Sequence, residues 1–218
     1  MLRYFLSSIL ILATTFIYAQ DNIEKTKGIR FGFDVSPLVV RLFEPERSGL
    51  GVSIDFEFKT DYFGVIEGGL LNYGLEQKNF NYQSSGYYGL FGLDYNLLKA
   101  EKSVDNNILF AGFRYGISSF QQNIDNIVIN NYWGTYNAEL GQQQITGSWF
   151  ELLGGIKAEV FFAKNFFIGW TLRAKTLLSG TKNETMQPIY IPGYGKTDKK
   201  FRFGISWFVA YKIPFKQK

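Results

Sequence analysis

The sequence predicts an all-β fold: an eight-stranded antiparallel up-and-down transmembrane β-barrel that follows a cleaved signal peptide. Three observations predict it. First, the final segment alternates from Lys200 to Ile213, with Phe201, Phe203, Ile205, Trp207, Val209, Tyr211 and Ile213 on one face. Arg202, Gly204, Ser206, Phe208, Ala210 and Lys212 share the other. Successive side chains of a strand point to opposite faces, so one side of this ribbon is uniformly apolar. It is long enough for the roughly 9–11 tilted residues that cross a bilayer. Second, the chain is 18% aromatic, with 22 Phe, 14 Tyr and 23 Gly but only 5 Pro. Its mean hydropathy is near zero, and no stretch after the first twenty residues is apolar enough for a spanning helix. Third, the connections between alternating runs are long after odd-numbered runs and short after even-numbered ones, the asymmetry of extracellular loops and periplasmic turns.

The N-terminus is read apart from the sheet. Arg3 supplies a positive start, Phe5 to Phe16 an apolar core, and Ile17-Tyr18-Ala19 a cleavage site before Gln20, so residues 1–19 form a signal peptide. Residues 20–27 are a short periplasmic lead, and the barrel spans 28–215. The chain has no cysteine, which permits an oxidising compartment but supplies no disulfide framework. A net charge of +4, spread along the chain, gives no footprint for nucleic acid.

The barrel runs follow in order. Ile29, Phe31, Phe33 and Val35 oppose Arg30, Gly32, Asp34 and Ser36, before Pro37 and the turn residues 44–49 end the run. Leu50, Val52, Ile54, Phe56 and Phe58 oppose Gly51, Ser53, Asp55 and Glu57. In the third run, Tyr62 to Tyr73, Ile66, Gly68 and Leu70 oppose Val65, Glu67 and Gly69, and Asn72 to Gln83 reads as a polar loop. Tyr87, Gly89, Phe91, Leu93 and Tyr95 oppose Tyr88, Leu90, Gly92, Asp94 and Asn96, followed by a charged turn over 99–107. Leu109, Ala111, Phe113, Tyr115 and Ile117 oppose Phe110, Gly112, Arg114, Gly116 and Ser118. A long loop over 119–147 separates this from the sixth run, where Phe150, Leu152, Gly154, Ile156 and Ala158 oppose Glu151, Leu153, Gly155, Lys157 and Glu159. The seventh sets Phe166, Ile168, Trp170, Leu172 and Ala174 against Phe167, Gly169, Thr171, Arg173 and Lys175, and a second long loop covers 179–200.

On this register the polar face carries Asp34, Asp55, Glu57, Glu67, Asp94, Glu151 and Glu159, against Arg30, Arg114, Lys157, Arg173, Lys175, Arg202 and Lys212. An eight-stranded barrel is only wide enough for side chains to fill it, and charges there must pair. The balance predicts an ion-pair plug; a gated ion path along the same groups is the functional alternative.

Catalysis finds little support. The chain has no histidine, the usual neutral-pH base and zinc ligand. Asp55 and Glu57 are a carboxylate pair, more simply part of the charge network. No catalytic residue, cofactor or metal is expected. In the loops, Tyr132, Trp133, Tyr190, Pro192 and Tyr194 suggest contacts with a protein or carbohydrate, or a cap on the barrel mouth.

The last strand also resembles the assembly signal read by the β-barrel assembly machinery, carried by Arg202, Gly204, Trp207 and Val209. Gly28-Ile29-Arg30-Phe31-Gly32-Phe33-Asp34-Val35-Ser36, Gly92-Leu93-Asp94-Tyr95-Asn96 and residues 112–120 together resemble a family of uncharacterised outer-membrane barrels from Bacteroidota. Tyr132-Trp133-Gly134, Gly155-Ile156-Lys157-Ala158-Glu159 and Tyr190-Ile191-Pro192-Gly193 extend the resemblance over nearly the whole mature chain. It implies fold and outer-membrane location, no activity, and a shared role for the Trp133 and Pro192 loops.

The expectation is therefore a non-catalytic outer-membrane barrel of a Gram-negative bacterium with a charge-plugged lumen. Its partners would be membrane lipid, the assembly machinery and a protein at the extracellular loops, where it serves as a structural or adaptor subunit. The alternatives are a secreted lipocalin-like carrier with its apolar face turned inward, and a narrow gated channel. Four glycines on the polar face (Gly32, Gly112, Gly155, Gly204) favour the first arrangement, because a narrow lumen needs small residues.

Overall fold

The structure is a computed structural model that describes residues 27–98, 106–132, 134–180 and 187–215. The signal segment 1–19, most of the 20–27 lead, and Trp133 lie outside the described residues. The barrel strands are β1 (Gly28–Asp34), β2 (Arg47–Lys59), β3 (Tyr62–Gln77), β4 (Phe80–Asn96), β5 (Ile108–Asn131), β6 (Gly134–Glu159), β7 (Phe166–Ser179) and β10 (Phe201–Pro214). A six-residue helix, α1 (Ser36–Arg41), follows β1, and a two-stranded ribbon, β8 (Tyr190–Ile191) with β9 (Gly195–Lys196), lies in the last long connection. Each strand pairs with its sequence neighbours, and β1 closes on β10 with Gly28 opposite Pro214 and Asp34 opposite Phe208. Both ends of the barrel chain therefore sit at one rim.

Local chemistry fixes the turns at that rim. Thr60-Asp61 joins β2 to β3 with Asp61 in the left-handed region (φ 65), and Asn165 takes the same conformation before β7. Short Asp and Asn side chains tolerate this backbone by bonding locally; Asp61 Oδ1 accepts from Asn96 Nδ2 at 3.0 Å.

The outward face is the apolar one. Phe31, Leu50, Val52, Ile54, Ile66, Leu70, Phe91, Leu93, Phe113, Leu152, Ile168, Leu172, Phe203 and Ile205 are all exposed, while their odd-even neighbours turn inward. Burying phenylalanines around a hollow, as a soluble carrier would, is excluded by this orientation. A closed barrel with a solvent-incompatible belt and a polar interior belongs in a bilayer, where every backbone group must be bonded within the wall.

Two predicted loops are strands. Asn72 to Gln83 continues β3 and β4 around a turn at 78–79, and most of 119–147 continues β5 as far as Asn131 and β6 from Gly134. Beyond the belt their outward side chains meet water while inward ones such as Tyr73, Tyr82, Phe120 and Ile124 are buried, and the Gln, Asn and Ser residues between them break up the hydrophobic alternation. Pro37, expected only to end the first run, starts α1, where its missing N–H is harmless. The lumen is also less uniformly polar than expected: Phe63, Val65, Ile108, Phe110 and Leu153 form an apolar cluster within it.

Ile66 lies on the outward face between Ile54 and Phe91. Ile66→Arg should destabilise the lipid-folded barrel by about 2–4 kcal/mol, read as a fall in the guanidinium midpoint of protein refolded into vesicles.

Candidate functional site

Inside the barrel, nine ionised side chains form one alternating chain. Arg30 Nε lies 2.6 Å from Asp55 Oδ1, and Asp55 Oδ2 lies 2.8 Å from Lys157 Nζ. Lys157 reaches Asp94 at 3.4 Å, and Asp94 lies 2.7 Å from Arg114 Nη1. Arg114 Nε donates to Glu67 at 3.0 Å, and the other oxygen of Glu67 accepts from Arg173 Nη2 at 2.7 Å. Arg173 Nη1 donates to Glu151 at 3.0 Å, and Glu151 ends the series 3.4 Å from Lys175. Base and acid alternate without exception along this path.

Seven strands supply these groups, one from each of β1 to β5 and two each from β6 and β7. The remaining wall strand, β10, joins through Ser206, whose hydroxyl accepts from Arg173 Nε at 3.1 Å. Inward positions on adjacent strands bring the members together: Arg30 is opposite Asp55, Arg114 opposite Glu151, and Glu151 opposite Lys175. The Asp94–Arg114 contact is ionic, without hydrogen-bond alignment; Arg114 Nη1 gives its hydrogen bonds to the carbonyls of Phe113 (2.9 Å) and Leu93 (3.2 Å). Aromatic faces insulate the series from below, with the Arg30 guanidinium 4.7 Å from the Phe63 ring centre and Lys157 Nζ 4.8 Å from that of Phe110. A cavity of about 50 Å³ beside it is lined by Asp55, Glu67, Tyr88, Asp94, Arg114 and Lys157, among others. That is room for ordered water.

All nine are among the sequence candidates. The remaining candidates sit elsewhere. Asp34 accepts from the Ser36 backbone N–H at 2.9 Å where the chain leaves β1. Glu57 accepts from the Asp61 N–H at 3.0 Å in the β2–β3 turn, and Glu159 binds Asn106 Nδ2 at 2.7 Å and the Asn165 N–H at 2.6 Å. Arg202 pairs with Asp198 near the opposite rim, and Lys212 Nζ donates to Asn106. Asp55 and Glu57 are separated in role, one in the lumen series and one in a turn, so they form no catalytic pair. Among the described residues, no cluster of three His, Cys, Asp or Glu could hold a metal ion.

The second long connection folds into the barrel mouth. Tyr190, Pro192 and Tyr194 are buried, so of the two expectations for them they form a cap on the barrel mouth and are not exposed contacts for a partner. Tyr190 stacks on Tyr73 with ring centres 4.5 Å apart, and its carbonyl accepts from Ser84 Oγ at 3.1 Å. Tyr82 Oη accepts from the Ile189 and Tyr190 N–H groups. Lys175 Nζ donates to the Gly193 carbonyl at 2.6 Å, tying the end of the ionic series to this cap. Ile191 and Tyr194 pack with Leu90, Phe120, Ile145, Trp149 and Leu177. Burial pushes the Tyr190 phenol up to about 12, so it remains neutral within the apolar cap. At the rim, the hydrogen bond from Arg202 holds the Asp198 carboxyl below its usual range.

Sequence reasoning missed Trp149, whose Nε1 donates to Glu151 Oε1 at 2.7 Å, and Arg47, whose guanidinium lies 5.7 Å from the Tyr190 ring centre. Trp149 falls just outside the alternating run of the sixth strand, and Arg47 falls in a stretch of turn formers. Extending the alternation of β6 by two residues places Trp149 inward. Of the remaining loop candidates, Tyr132 is exposed at the tip of the β5–β6 hairpin. In the assembly pattern, Trp207 and Val209 are on the outward face of β10, opposite to Arg202 and Gly204.

The family described as Domain of unknown function (DUF6048) matches residues 1–218. No curated protein matches the chain. Among solved structures, it is similar to a major outer membrane protein from Thermus thermophilus (11% identity, 86% of this chain and 98% of that one, TM-score 0.44). It is also similar to Ail, the attachment invasion locus protein of Yersinia pestis (10%, 87% and 99%, 0.42). A third is the N-terminal β-barrel domain of Pseudomonas aeruginosa OprF (14%, 87% and 98%, 0.37). The lipid-facing belt, the closed eight-stranded wall and the short-turn rim make this chain an outer-membrane β-barrel.

Glu67 bridges Arg114 and Arg173, so Glu67→Gln leaves two buried guanidinium groups facing each other across a neutral amide. It should cost about 3–5 kcal/mol of stability, measured by denaturant unfolding in lipid vesicles. Gly193 has φ +81, and a Cβ there would meet the Tyr88 ring at 2.6 Å and Trp149 at 2.9 Å. Gly193→Ala should therefore detach the cap while the barrel stays folded, seen as faster protease cleavage within 187–200 and a change in Trp fluorescence.

Proposed function

The chain belongs to that family of unknown function, and we propose that it is a non-catalytic outer-membrane barrel with a charge-sealed lumen that serves as a structural or adaptor subunit. The observation that carries this reading is the alternating series from Arg30 to Lys175, closed above by the Tyr190–Tyr194 cap. A lumen filled by paired charges and lidded by buried aromatics leaves no site where a substrate would meet a reactive group. What the protein offers to the outside is the β5–β6 hairpin. Its strands run 24 and 26 residues, well beyond the roughly 9–11 that cross the hydrocarbon.

That projecting ribbon ends in the exposed Tyr132, with Tyr136 also exposed beside the turn. Aromatic side chains on a polar hairpin supply contact area at low entropic cost, which suits a protein partner at the cell surface. Trp133, which lies between them in sequence, belongs to the same proposal. Insertion would proceed through the β-barrel assembly machinery, which would read Arg202, Gly204, Trp207 and Val209 on the final strand. The gated-channel alternative requires the ionic series to part. No observation favours that over a static plug.

Planar bilayers carrying the purified protein should show no steady conductance; large, stable openings would contradict a sealed lumen. Gentle detergent extraction should recover a second protein with the wild-type chain and lose it when residues 127–138 are replaced by a short Asn-Gly turn. Recovery of the wild-type chain alone would count against the adaptor role.

A further inference from the structure

The barrel wall is interrupted on the rim away from the termini. β1 ends at Asp34, opposite Gly51 of β2 and Phe208 of β10. The chain then makes three more bonds to Trp207 of β10, one from the Val35 N–H and two through the Ser36 hydroxyl, and turns into α1. Above that point β10 continues from Ser206 to Phe201 and β2 from Leu50 to Arg47, with no described strand between them. Among the described residues, α1 and residues 42–46 follow β1 across this gap.

A cavity of about 300 Å³ opens through this notch. Its lining mixes the two faces of the wall. Glu151, Arg173 and Lys175 belong to the lumen, whereas Leu70, Phe203 and Ile205 belong to the lipid-facing belt. A pocket lined from both sides is continuous with the membrane. Alongside it, Leu38, Val39, Leu42 and Phe43 on and after α1 are also exposed, the pattern of a segment lying against acyl chains.

The charges at the notch nearly balance, with a small basic excess: outside the ionic series Arg47, Lys196 and Arg202 line it with Asp34 and Glu44, and Arg202 also pairs with Asp198. The Nε atoms of Arg47 and Arg202 are buried and, among the described residues, have no hydrogen-bond acceptor. Two buried guanidinium donors lacking acceptors, at the mouth of a cavity, call for an anionic oxygen. The volume falls at the lower end of the range for ligand sites.

We propose that the notch between β2 and β10 binds the phosphate-bearing headgroup of an amphiphile from the loop-side leaflet. Arg47 and Arg202 hold the phosphate, and the acyl chains lie over Leu70, Phe203 and Ile205. The bound amphiphile completes the wall where strand pairing stops, which also shields the unpaired edges of β2 and β10 from hydrocarbon. This site goes beyond the adaptor role and does not depend on it.

Native mass spectrometry of the full mature chain, released from micelles supplied with phosphatidylglycerol, phosphatidylcholine or inorganic phosphate in separate arms, tests the assignment. One phosphatidylglycerol per barrel should be retained in preference to phosphatidylcholine. The R47Q/R202Q variant should lose about tenfold or more of that retention, the effect of removing charge-assisted hydrogen bonds. Val40→Glu, at the cavity rim and away from both arginines, should reduce retention as well, and it serves if the double variant does not fold by its heat-dependent gel shift. Equal retention of phosphatidylcholine, or unchanged retention in folded variants, would overturn the proposal. So would displacement of the lipid by inorganic phosphate at equal concentration, which would make this a site for a soluble anion.

Discussion

An eight-stranded barrel encloses a space too narrow for bulk water and too wide to leave empty, and this chain fills it with ions that neutralise one another in sequence. The alternation from Arg30 to Lys175 is the arrangement that such a space permits. Each interior member has an opposite charge on both sides, so none is left desolvated without compensation. Because seven strands each contribute at least one member, and β10 touches the series through Ser206, the ionic chain also fixes the relative register of the wall. A one-residue slip of any strand would turn its charge toward lipid and an apolar residue into the lumen.

The ends of the series explain the two rims. At the lower end, Arg30 and Lys157 lie over aromatic rings, and the apolar cluster around Phe63 and Phe110 closes the short-turn side. At the upper end, Lys175 is the base left with one acid, and it gives a further hydrogen bond to the Gly193 carbonyl. The cap is thus an extension of the plug: Trp149 binds Glu151 through its indole N–H and packs near Tyr194 with its ring. The same rim carries the interruption between β2 and β10, where basic residues outside the series collect.

The wall is legible in the sequence because lipid imposes a strict period of two. Phe201 to Ile213, Leu50 to Phe58 and Tyr87 to Tyr95 all face outward as their alternation predicts, and all nine members of the ionic series are on the faces assigned to them. Legibility ends where lipid ends. β5 and β6 beyond Gln121 still bury an inward face, with Gln122, Ile124 and Ile145 covered, but Gln and Asn stand between the few apolar residues and leave too sparse an alternation to read. The cap is illegible for the opposite reason. Tyr190, Pro192 and Tyr194 lie in a short run with Ile189 and Ile191 that has no strand-length alternation, and their burial depends on a lumen assembled from distant strands. Arg47 is hidden for a related reason: β2 begins before its belt residues do, in a stretch rich in turn formers.

The claim on which the rest depends is that the lumen charges act as one coupled series. A double-mutant cycle at its centre, Asp94→Asn with Arg114→Met, measured by reversible denaturant unfolding in lipid vesicles, tests it most directly. The account predicts that the double variant is less destabilised than the sum of the singles, by about 1.5 kcal/mol or more. Additivity within about 0.5 kcal/mol would show that the two side chains are merely neighbours, and would contradict the coupled series.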